Sequence, residues 1–139
     1  MNILSEVNFT CRVSSVLNKE VKQYGKQFMF DKKEDTSWSS DEGNPQWITV
    51  SLDEPQNISG FSLQFQGGFA GLKSRVIFYS TDGVQLHEEP FYPEDINSSQ
   101  VFQVKDTARQ KASSKIKLVF ESSTDLFGRI IVYNLQLFS

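Results

Sequence analysis

The sequence predicts an all-β protein, an antiparallel jelly-roll β-sandwich in a single domain spanning residues 1–139. Apolar residues recur with a period of two, which is typical of half-buried strands. Turn-forming pairs such as Asn44-Pro45 and Asp82-Gly83 separate these runs. Hydrophobic residues make up 38% of the chain and include twelve Phe, so the chain has enough apolar mass for a packed core.

Each predicted element has its own pattern. Residues 18–26 alone have helical character, and they are few. The stretch 47–55 alternates apolar with polar positions, and 61–66 alternates Phe and Leu with Ser and Gln. Because 129–138 is apolar on nearly both faces, we expect it to be a central strand. The other predicted strands are 75–80, 100–104 and 115–120.

A tight hairpin is predicted at 80–86, where the sequence reads STDGVQL. The pair Asp82-Gly83 is the preferred sequence of a type I′ turn, which needs a positive φ at both central residues. We therefore expect two antiparallel strands to meet there.

The net charge and the absence of targeting signals in the sequence indicate which partners and which cellular location to expect for the protein. The net charge is −3 and the pI about 5.1, so no overall basic field is available for direct nucleic-acid binding. The basic stretch 105–117, which includes Arg109, is predicted to be a solvated loop and an edge strand. No apolar run reaches the ~18 residues of a membrane span, and no basic region opens a signal peptide. We expect no membrane association and a location in the nucleus, the cytoplasm or both.

The sequence has few residues that could form a catalytic site, so we predict a protein that is not an enzyme. His87 is the only histidine and Cys11 the only cysteine, which excludes an internal disulfide and a zinc site. A catalytic pair would have to be Cys11 with His87, or Asp125 with Glu94, and neither has supporting sequence context.

Three polar-aromatic loops form the candidate binding site. They are 66–69, 91–95 and 124–129, which we expect to meet at a rim of the sandwich. An Arg near aromatic rings and carboxylates is a frequent recognition element, through stacking and bidentate hydrogen bonds. A purely structural pairing of Arg129 with Asp125 remains an equal alternative. The predicted ligand- or partner-binding residues are Gln66, Phe69, Phe91, Tyr92, Asp125, Phe127 and Arg129.

The segments FDKKEDTSWSS (30–40) and QWITVSL (46–52) resemble those of the discoidin family, the coagulation factor 5/8 C-domains. The resemblance implies a galactose-binding-like jelly roll. It implies structural roles for Trp38 and Trp47, which would staple the loop between them to the sandwich. It also implies a calcium site that uses Asp31 and Thr36 among its oxygen ligands; otherwise no cofactor is expected.

The segments RVSSVLN (12–18), QFQGGF (64–69) and TDLFGRIIVYNL (124–135) are more closely similar to a family of small nuclear proteins associated with an orphan nuclear receptor. That resemblance implies a protein-interaction module that represses or regulates transcription, with the receptor as its protein partner. The alternative is a lectin-like module that binds a glycan or small polar ligand at the same rim. An exposed ring in a concave site beside Arg129 would favour the lectin, and a flat or filled rim the protein partner.

Overall fold

Two antiparallel sheets pack face to face in the computed structural model, which describes residues 2–105 and 111–139. One sheet has five strands in the order β1-β3-β8-β5-β6, and the other has four in the order β2-β9-β4-β7. This confirms the all-β jelly-roll sandwich. The strands are β1 Phe9–Val13, β2 Trp38–Ser39, β3 Gln46–Asn57, β4 Gly60–Phe65, β5 Gly71–Tyr79, β6 Gln85–Phe91, β7 Gln100–Gln103, β8 Ala112–Ser123 and β9 Ile131–Phe138.

The helical turns of the described residues are short and lie before β2. The only α-helical turn of the described residues is α1, Val21–Tyr24, flanked by 3₁₀ turns at Leu17–Lys19 and Lys26–Met29. A further 3₁₀ turn, Ile3–Ser5, precedes β1. Within 2–105 and 111–139 no helix has the length and apolar character needed to cross a membrane.

The core lies between the two sheets and follows the predicted alternation. In β3 the side chains of Ile48, Val50 and Leu52 are buried, and the residues between them are half-exposed. Apolar residues of β5 and β8 extend this face along the same sheet, and those of β4 and β9 pack against it from the other sheet. The largest fully buried side chains are Trp38, Phe61, Phe65, Phe78 and Phe120.

The final strand is central, as predicted, because β9 lies between β2 and β4. Its pairing with β4 shifts where Gln64 faces Asn134 and Phe65 faces Val132, so Tyr133 is the extra residue of a β-bulge. The predicted edge strand in 105–117 is wrong, because β8 is the middle strand of its sheet. Its lysines lie on the solvent face of that strand, and Arg109 falls outside the described residues.

The hairpin at 80–86 exists, but its turn is not type I′. Gly83 has a φ of +81° and Asp82 does not share the positive φ. The Gly83 N–H donates to Ser80 O at 3.0 Å, and Ser80 N–H donates to Val84 O at 2.9 Å. The hairpin loop therefore has three residues, and the glycine at its end is the one with a positive φ.

The two tryptophans have different surroundings. Trp38, in β2, is fully buried, and its Nε1 donates to Ser15 O at 2.9 Å, so it fastens the loop to the sandwich as expected. Trp47 does not enter the core: its ring lies half-buried on the outer face of β3, with Lys117 Nζ 5.1 Å from its centroid. Its indole is part of the solvent-facing surface of the five-stranded sheet.

Candidate functional site

The rim is built from two loops that brace each other. The loop after β4 turns at Gly68, whose φ is +89°, and Phe69 N–H donates to Gln66 O at 3.0 Å. The loop after β8 is tied to it where Ala70 N–H donates to Thr124 Oγ1 at 3.0 Å and Thr124 N–H donates to Ala70 O at 2.9 Å. The two loops therefore form one connected surface.

A third loop, between β6 and β7, closes the opposite side of Gly67-Gly68. Gly68 N–H donates to Asp95 Oδ1 and Gly67 N–H donates to Asn97 Oδ1, both at 2.7 Å. Gln64 Nε2 donates to the Asn97 carbonyl at 2.9 Å. The structure thus brings 66–69, 124–129 and part of 91–95 together, and adds Asn97, which the sequence reasoning missed.

Arg129 stands at the centre of the rim and is held by Asp125. Arg129 Nε donates to Asp125 Oδ2 at 3.1 Å and Nη2 donates to Oδ1 at 3.4 Å, while Arg129 N–H also donates to Oδ2 at 3.0 Å. Phe69 lies 5.2 Å and Phe127 6.0 Å from the guanidinium carbon, measured to the ring centroids. The structural pairing of Arg129 with Asp125 is therefore present.

The ion pair shifts the protonation equilibria of both partners. The side-chain hydrogen bonds from Arg129 lower the pKa of Asp125, with help from the Arg129 N–H and charge and against the effect of desolvation. The hydrogen bond to Asp125 raises the pKa of Arg129. Both groups are charged at neutral pH, so the rim carries a closed ion pair.

A glycine fixes the bend that leads from the 124–129 loop into β9. Gly128 has a φ of +88°, and a Cβ there would lie 2.6 Å from Gly43 O and 2.6 Å from Asn44 Oδ1. Gly43 N–H donates to Phe127 O at 2.8 Å, so the loop before β3 supports the rim from below. The buried Gln46 in turn holds that loop, because its Nε2 donates to Gly43 O at 2.9 Å.

Phe91 is not part of the rim, so its prediction as a contact residue is wrong. Its ring is buried and makes edge contacts with Phe61 and Phe102, each at a centroid distance of 5.0 Å. Phe61 and Phe102 belong to the four-stranded sheet and Phe91 to the five-stranded sheet, so this ring joins the two sheets. Burial of this kind depends on contacts that no local sequence pattern contains.

The other predicted residues lie at or near the surface. Tyr92 is 81% exposed, and Phe127 is 55% exposed. Gln66 is half-buried and its Oε1 accepts a hydrogen bond from the Tyr133 hydroxyl at 2.9 Å, so it orients the bulge of β9. Sequence reasoning missed Leu126, which is 90% exposed. An apolar Leu-Phe pair inside a polar turn was the signal that could have identified it.

The rim is filled at Arg129. The Asp125 carboxylate occupies one side of the guanidinium, and the rings of Phe69 and Phe127 lie near it. The prominent hollows of the described surface lie elsewhere: one of about 200 Å³ beside Met29 and Asn134, and one of about 420 Å³ beside Val13 and Val21. The rim geometry is that of a projecting patch rather than a deep pocket.

In the segment where the resemblance implies a calcium site, Asp31 is hydrogen-bonded to residues of that same segment. Thr36 Oγ1 donates to Asp31 Oδ2 at 2.6 Å, and Lys33 N–H donates to Asp31 Oδ1 at 3.0 Å. Desolvation raises the pKa of Asp31, but these two hydrogen bonds and the Lys33 charge outweigh it and the net shift is downward. Among the described residues, no three Asp, Glu, His or Cys side chains gather as metal ligands. One carboxylate already bonded to Thr36 and Lys33 does not fit a cation that takes 6–8 oxygens, and we assign no calcium here.

Of the two conceivable catalytic pairs, Cys11 with His87 is not assembled. Cys11 lies in β1 and His87 in β6, the opposite edges of the five-stranded sheet, which puts them ~19 Å apart at ~4.8 Å per strand. Burial raises the pKa of the Cys11 thiol to about 12, although the Lys26 charge opposes this. His87 instead contacts Glu89, with Nε2 and Oε1 2.9 Å apart. Asp125 is engaged by Arg129.

The F5/8 type C domain model matches residues 12–129 of the chain. This range includes every strand from β2 to β8 and the whole rim. The chain therefore belongs to the F5/8 type C domain family, as its resemblance to discoidin domains implied.

Within that family, the chain is similar to proteins named Nuclear receptor 2C2-associated protein. The one from Danio rerio is 49% identical over 126 residues, which cover 91% of this chain and 87% of the relative. The one from Homo sapiens is 41% identical over 127 residues, which cover 90% of this chain and 87% of the relative. The similarity to receptor-associated proteins is thus confirmed, and neither the family model nor these names indicate a catalytic activity.

Solved structures with the same fold include carbohydrate-binding modules. A module from Clostridium perfringens in complex with GalNAc-beta-1,3-galactose has a TM-score of 0.73 at 17% identity, covering 94% of this chain and 95% of its own. A chitosan-binding module from Paenibacillus has a TM-score of 0.74 at 19% identity, covering 100% and 99%. At such identities the likeness establishes the fold alone.

Proposed function

We propose that this protein is a non-enzymatic protein-interaction module that associates with a nuclear receptor and regulates or represses its transcriptional activity. It would act in the nucleus, the cytoplasm or both. The observation that carries the proposal is an exposed apolar pair, Leu126 and Phe127, next to a guanidinium that is already neutralised by Asp125. The names of the relatives supply the kind of partner.

This arrangement suits a protein partner for physical reasons. When a partner covers the projecting Leu-Phe pair, removing its apolar surface from water favours binding by ~25 cal/mol per Å². Arg129 is fixed by Asp125 and by neighbouring rings before any partner arrives, so little side-chain entropy is lost on binding. Aromatic and Arg side chains are also the usual anchors of interfaces. Loops 66–69 and 124–129 are cross-linked by hydrogen bonds and supply a rigid base.

The proposal is tested with purified Danio rerio nuclear receptor 2C2, because the relative from that organism shares 49% identity with this chain. The wild type and the Leu126→Ser/Phe127→Ser variant are compared by biolayer interferometry. We expect the variant to lose roughly tenfold or more in affinity, as expected when interface anchors are removed. Thermal unfolding checks that the variant retains the wild-type fold.

Val84→Ser is the matched control. Val84 is 60% exposed but lies in the hairpin at the far end of β5 from the rim, ~26 Å from Gly71 at ~3.3 Å per residue. This variant should bind like the wild type. Equal binding by the Leu126→Ser/Phe127→Ser variant would refute the rim as the contact surface. No binding by the wild type would refute the receptor as partner.

The second candidate is a lectin-like module, favoured by the exposed ring of Tyr92 and by neighbours solved with sugars. A sugar would stack on that ring or on Phe127, with the Arg129 guanidinium donating hydrogen bonds to its hydroxyls. A glycan array followed by titration of galactose into isotope-labelled protein tests it. Signals that move at Tyr92 and vanish in Tyr92→Ala would support the lectin, and an unresponsive spectrum would reject it for galactose.

A further inference from the structure

A second surface lies on the other side of the loop that supports the rim. It is a groove of about 420 Å³ between the end of β1 and α1, lined by three valines, Gly25, Arg12, Lys26 and Gln27. We name it the valine groove after Val13, Val16 and Val21. A shallower hollow of about 390 Å³ adjoins it along Lys19, Glu20, Val21, Lys22 and Gln23. Neither hollow includes a rim residue.

The walls of the valine groove are built by specific local contacts. Gln27 Nε2 donates to Val21 O at 2.7 Å and ties the end of α1 to the 3₁₀ turn that follows. A Cβ at Gly25 would lie 2.3 Å from Gln27 Oε1 and 2.5 Å from Val21 O, so only glycine permits this closure. Val13 and Val16 form the floor, packed against the core, while Val21 is 55% exposed at the wall.

The backbone leading into the groove is strained. Asn18 and Lys19 have φ values of +52° and +60°, in the left-handed region. Asparagine tolerates this conformation, whereas for Lys19 it costs about 1–2 kcal/mol. Backbone strain of this kind is found at functional sites. These residues lie in the turn between β1 and α1, and Val13, Val16 and Val21 line the same groove.

The charges around the groove are all of one sign but for Glu20. Arg12 and Lys26 line the groove, and Lys19 and Lys22 line the adjoining hollow. Residues 12–27 thus have a formal charge of +3 in a chain that carries −3. Within 2–105 and 111–139, none of the four forms a salt bridge. An apolar floor bordered by these cations is complementary to carboxylates that flank aliphatic side chains.

We propose that the valine groove binds an acidic, apolar peptide segment of a protein partner. Its aliphatic side chains enter the space between Val13, Val16 and Val21, and its carboxylates meet Lys22, Lys26 and Arg12. The concave floor receives a side chain that projects from the partner, whereas binding to a membrane surface calls for apolar side chains that project from the protein. The proposal stands apart from the rim, since none of its residues belongs to 66–69 or 124–129.

The test uses the full chain and a short fluorescent peptide of alternating Leu and Glu as the probe, with fluorescence anisotropy as the readout. Two matched peptides carry Gln in place of Glu, or Ser in place of Leu. We expect binding of the Leu-Glu peptide that weakens as salt is added, and roughly tenfold weaker binding of each matched peptide. Isotope-labelled protein should show peptide-dependent shifts at Val16, Val21 and Lys26.

Lys22→Glu/Lys26→Glu reverses the charge of the groove and should weaken binding roughly tenfold or more. Lys111→Glu is the control: it precedes β8, whose Ala112 pairs with Asn57, whereas Val13 pairs with Ile48. Those two positions of β3 are ~30 Å apart at ~3.3 Å per residue. Lys111→Glu should leave affinity within about twofold of the wild type.

Val21→Ser gives an independent check, because its exposed side chain can be truncated without disturbing the core. It should weaken the peptide and leave thermal stability unchanged. The proposal is overturned if the wild type does not bind the Leu-Glu peptide or if the charge-reversed and Val21→Ser proteins bind it as well as the wild type does. It is equally overturned if vesicles of phosphatidylserine bind at the groove and the peptide does not.

Discussion

The carboxylate of Asp125 holds the guanidinium of Arg129 through two side-chain hydrogen bonds, 3.1 Å and 3.4 Å long, and also accepts the Arg129 backbone N–H at 3.0 Å. One carboxylate thus fixes both the side chain and the backbone at the entry to β9. The pair is one of the contacts that hold the rim loops, and the first prediction concerns its contribution to stability.

Asp125→Asn should lower the free energy of unfolding at neutral pH by up to about 1 kcal/mol, because the side chain of Arg129 is partly exposed and solvent screens the pair. Arg129 lowers the pKa of Asp125 in the folded state. The stabilisation is therefore present above the unfolded pKa of ~3.9 and is lost as the pH falls through the lower folded value. Urea unfolding from pH 7 to pH 3 measures this.

The difference between wild type and Asp125→Asn should shrink toward acid pH, and Asp35→Asn, at an exposed carboxylate, serves as the control. A difference that stays constant down to pH 3 would show that the ion pair is not the source of the stabilisation.

Gly128→Ala should destabilise the protein by about 2–4 kcal/mol, since it adds left-handed strain and a clash with the backbone of Gly43. Gly83→Ala is the matched control, because Gly83 has a similar φ of +81° but open space around its Cα. It should cost about 1 kcal/mol. Thermal unfolding of both variants separates clash from strain, and equal losses would contradict the close approach to Gly43.

Phe91→Ala should destabilise the fold by about 3–5 kcal/mol, because it opens a cavity between the two sheets. Phe127→Ala should change stability by less than about 0.5 kcal/mol, since the ring is half-exposed. Chemical denaturation of the two variants makes the comparison. A small loss for Phe91→Ala would mean that this ring is not a core element after all.

The strands could be predicted because their signal is local. The alternation in β3 and β4 identifies both the strand and its buried face, and the apolar character of 129–138 identified a central strand. The strand order is not local, which is why the lysines of β8 suggested an edge rather than a middle strand. β2 has only two residues and carries no periodic pattern at all.

The site could be predicted in part for the same reason. Phe69, Asp125 and Arg129 come together because their loops flank neighbouring strands. Phe91 was misplaced because its burial depends on Phe61 and Phe102 in the opposite sheet. Lys32, beside Asp31, has a positive φ of 62°, which no local sequence signal indicated because a non-glycine residue seldom adopts it.

Calcium should not stabilise the protein. Asp31 already accepts hydrogen bonds from Thr36 and from Lys33 N–H, and in the described part of the chain no three Asp, Glu, His or Cys side chains gather as metal ligands. A bound ion at one hundred times its dissociation constant would add ~2.7 kcal/mol. Thermal unfolding in millimolar calcium should therefore match that in EDTA, with magnesium as the control cation. An upward shift seen with calcium and abolished in Asp31→Asn would contradict this.

Cys11 should be inert in the folded protein, and its burial should make stability fall at alkaline pH. Burial raises the pKa of its thiol to about 12, so the thiolate that reacts with disulfide reagents is absent at neutral pH. In the unfolded chain the thiol ionises near pH 9.

Between pH 9 and about pH 12 the unfolded state therefore binds fewer protons than the folded state, and the free energy of unfolding falls as the pH rises. Urea titrations of wild type and Cys11→Ala from pH 7 to pH 11 isolate this contribution from other groups. The wild type should lose more stability than Cys11→Ala over that range, and parallel pH profiles would show that the thiol is accessible to solvent.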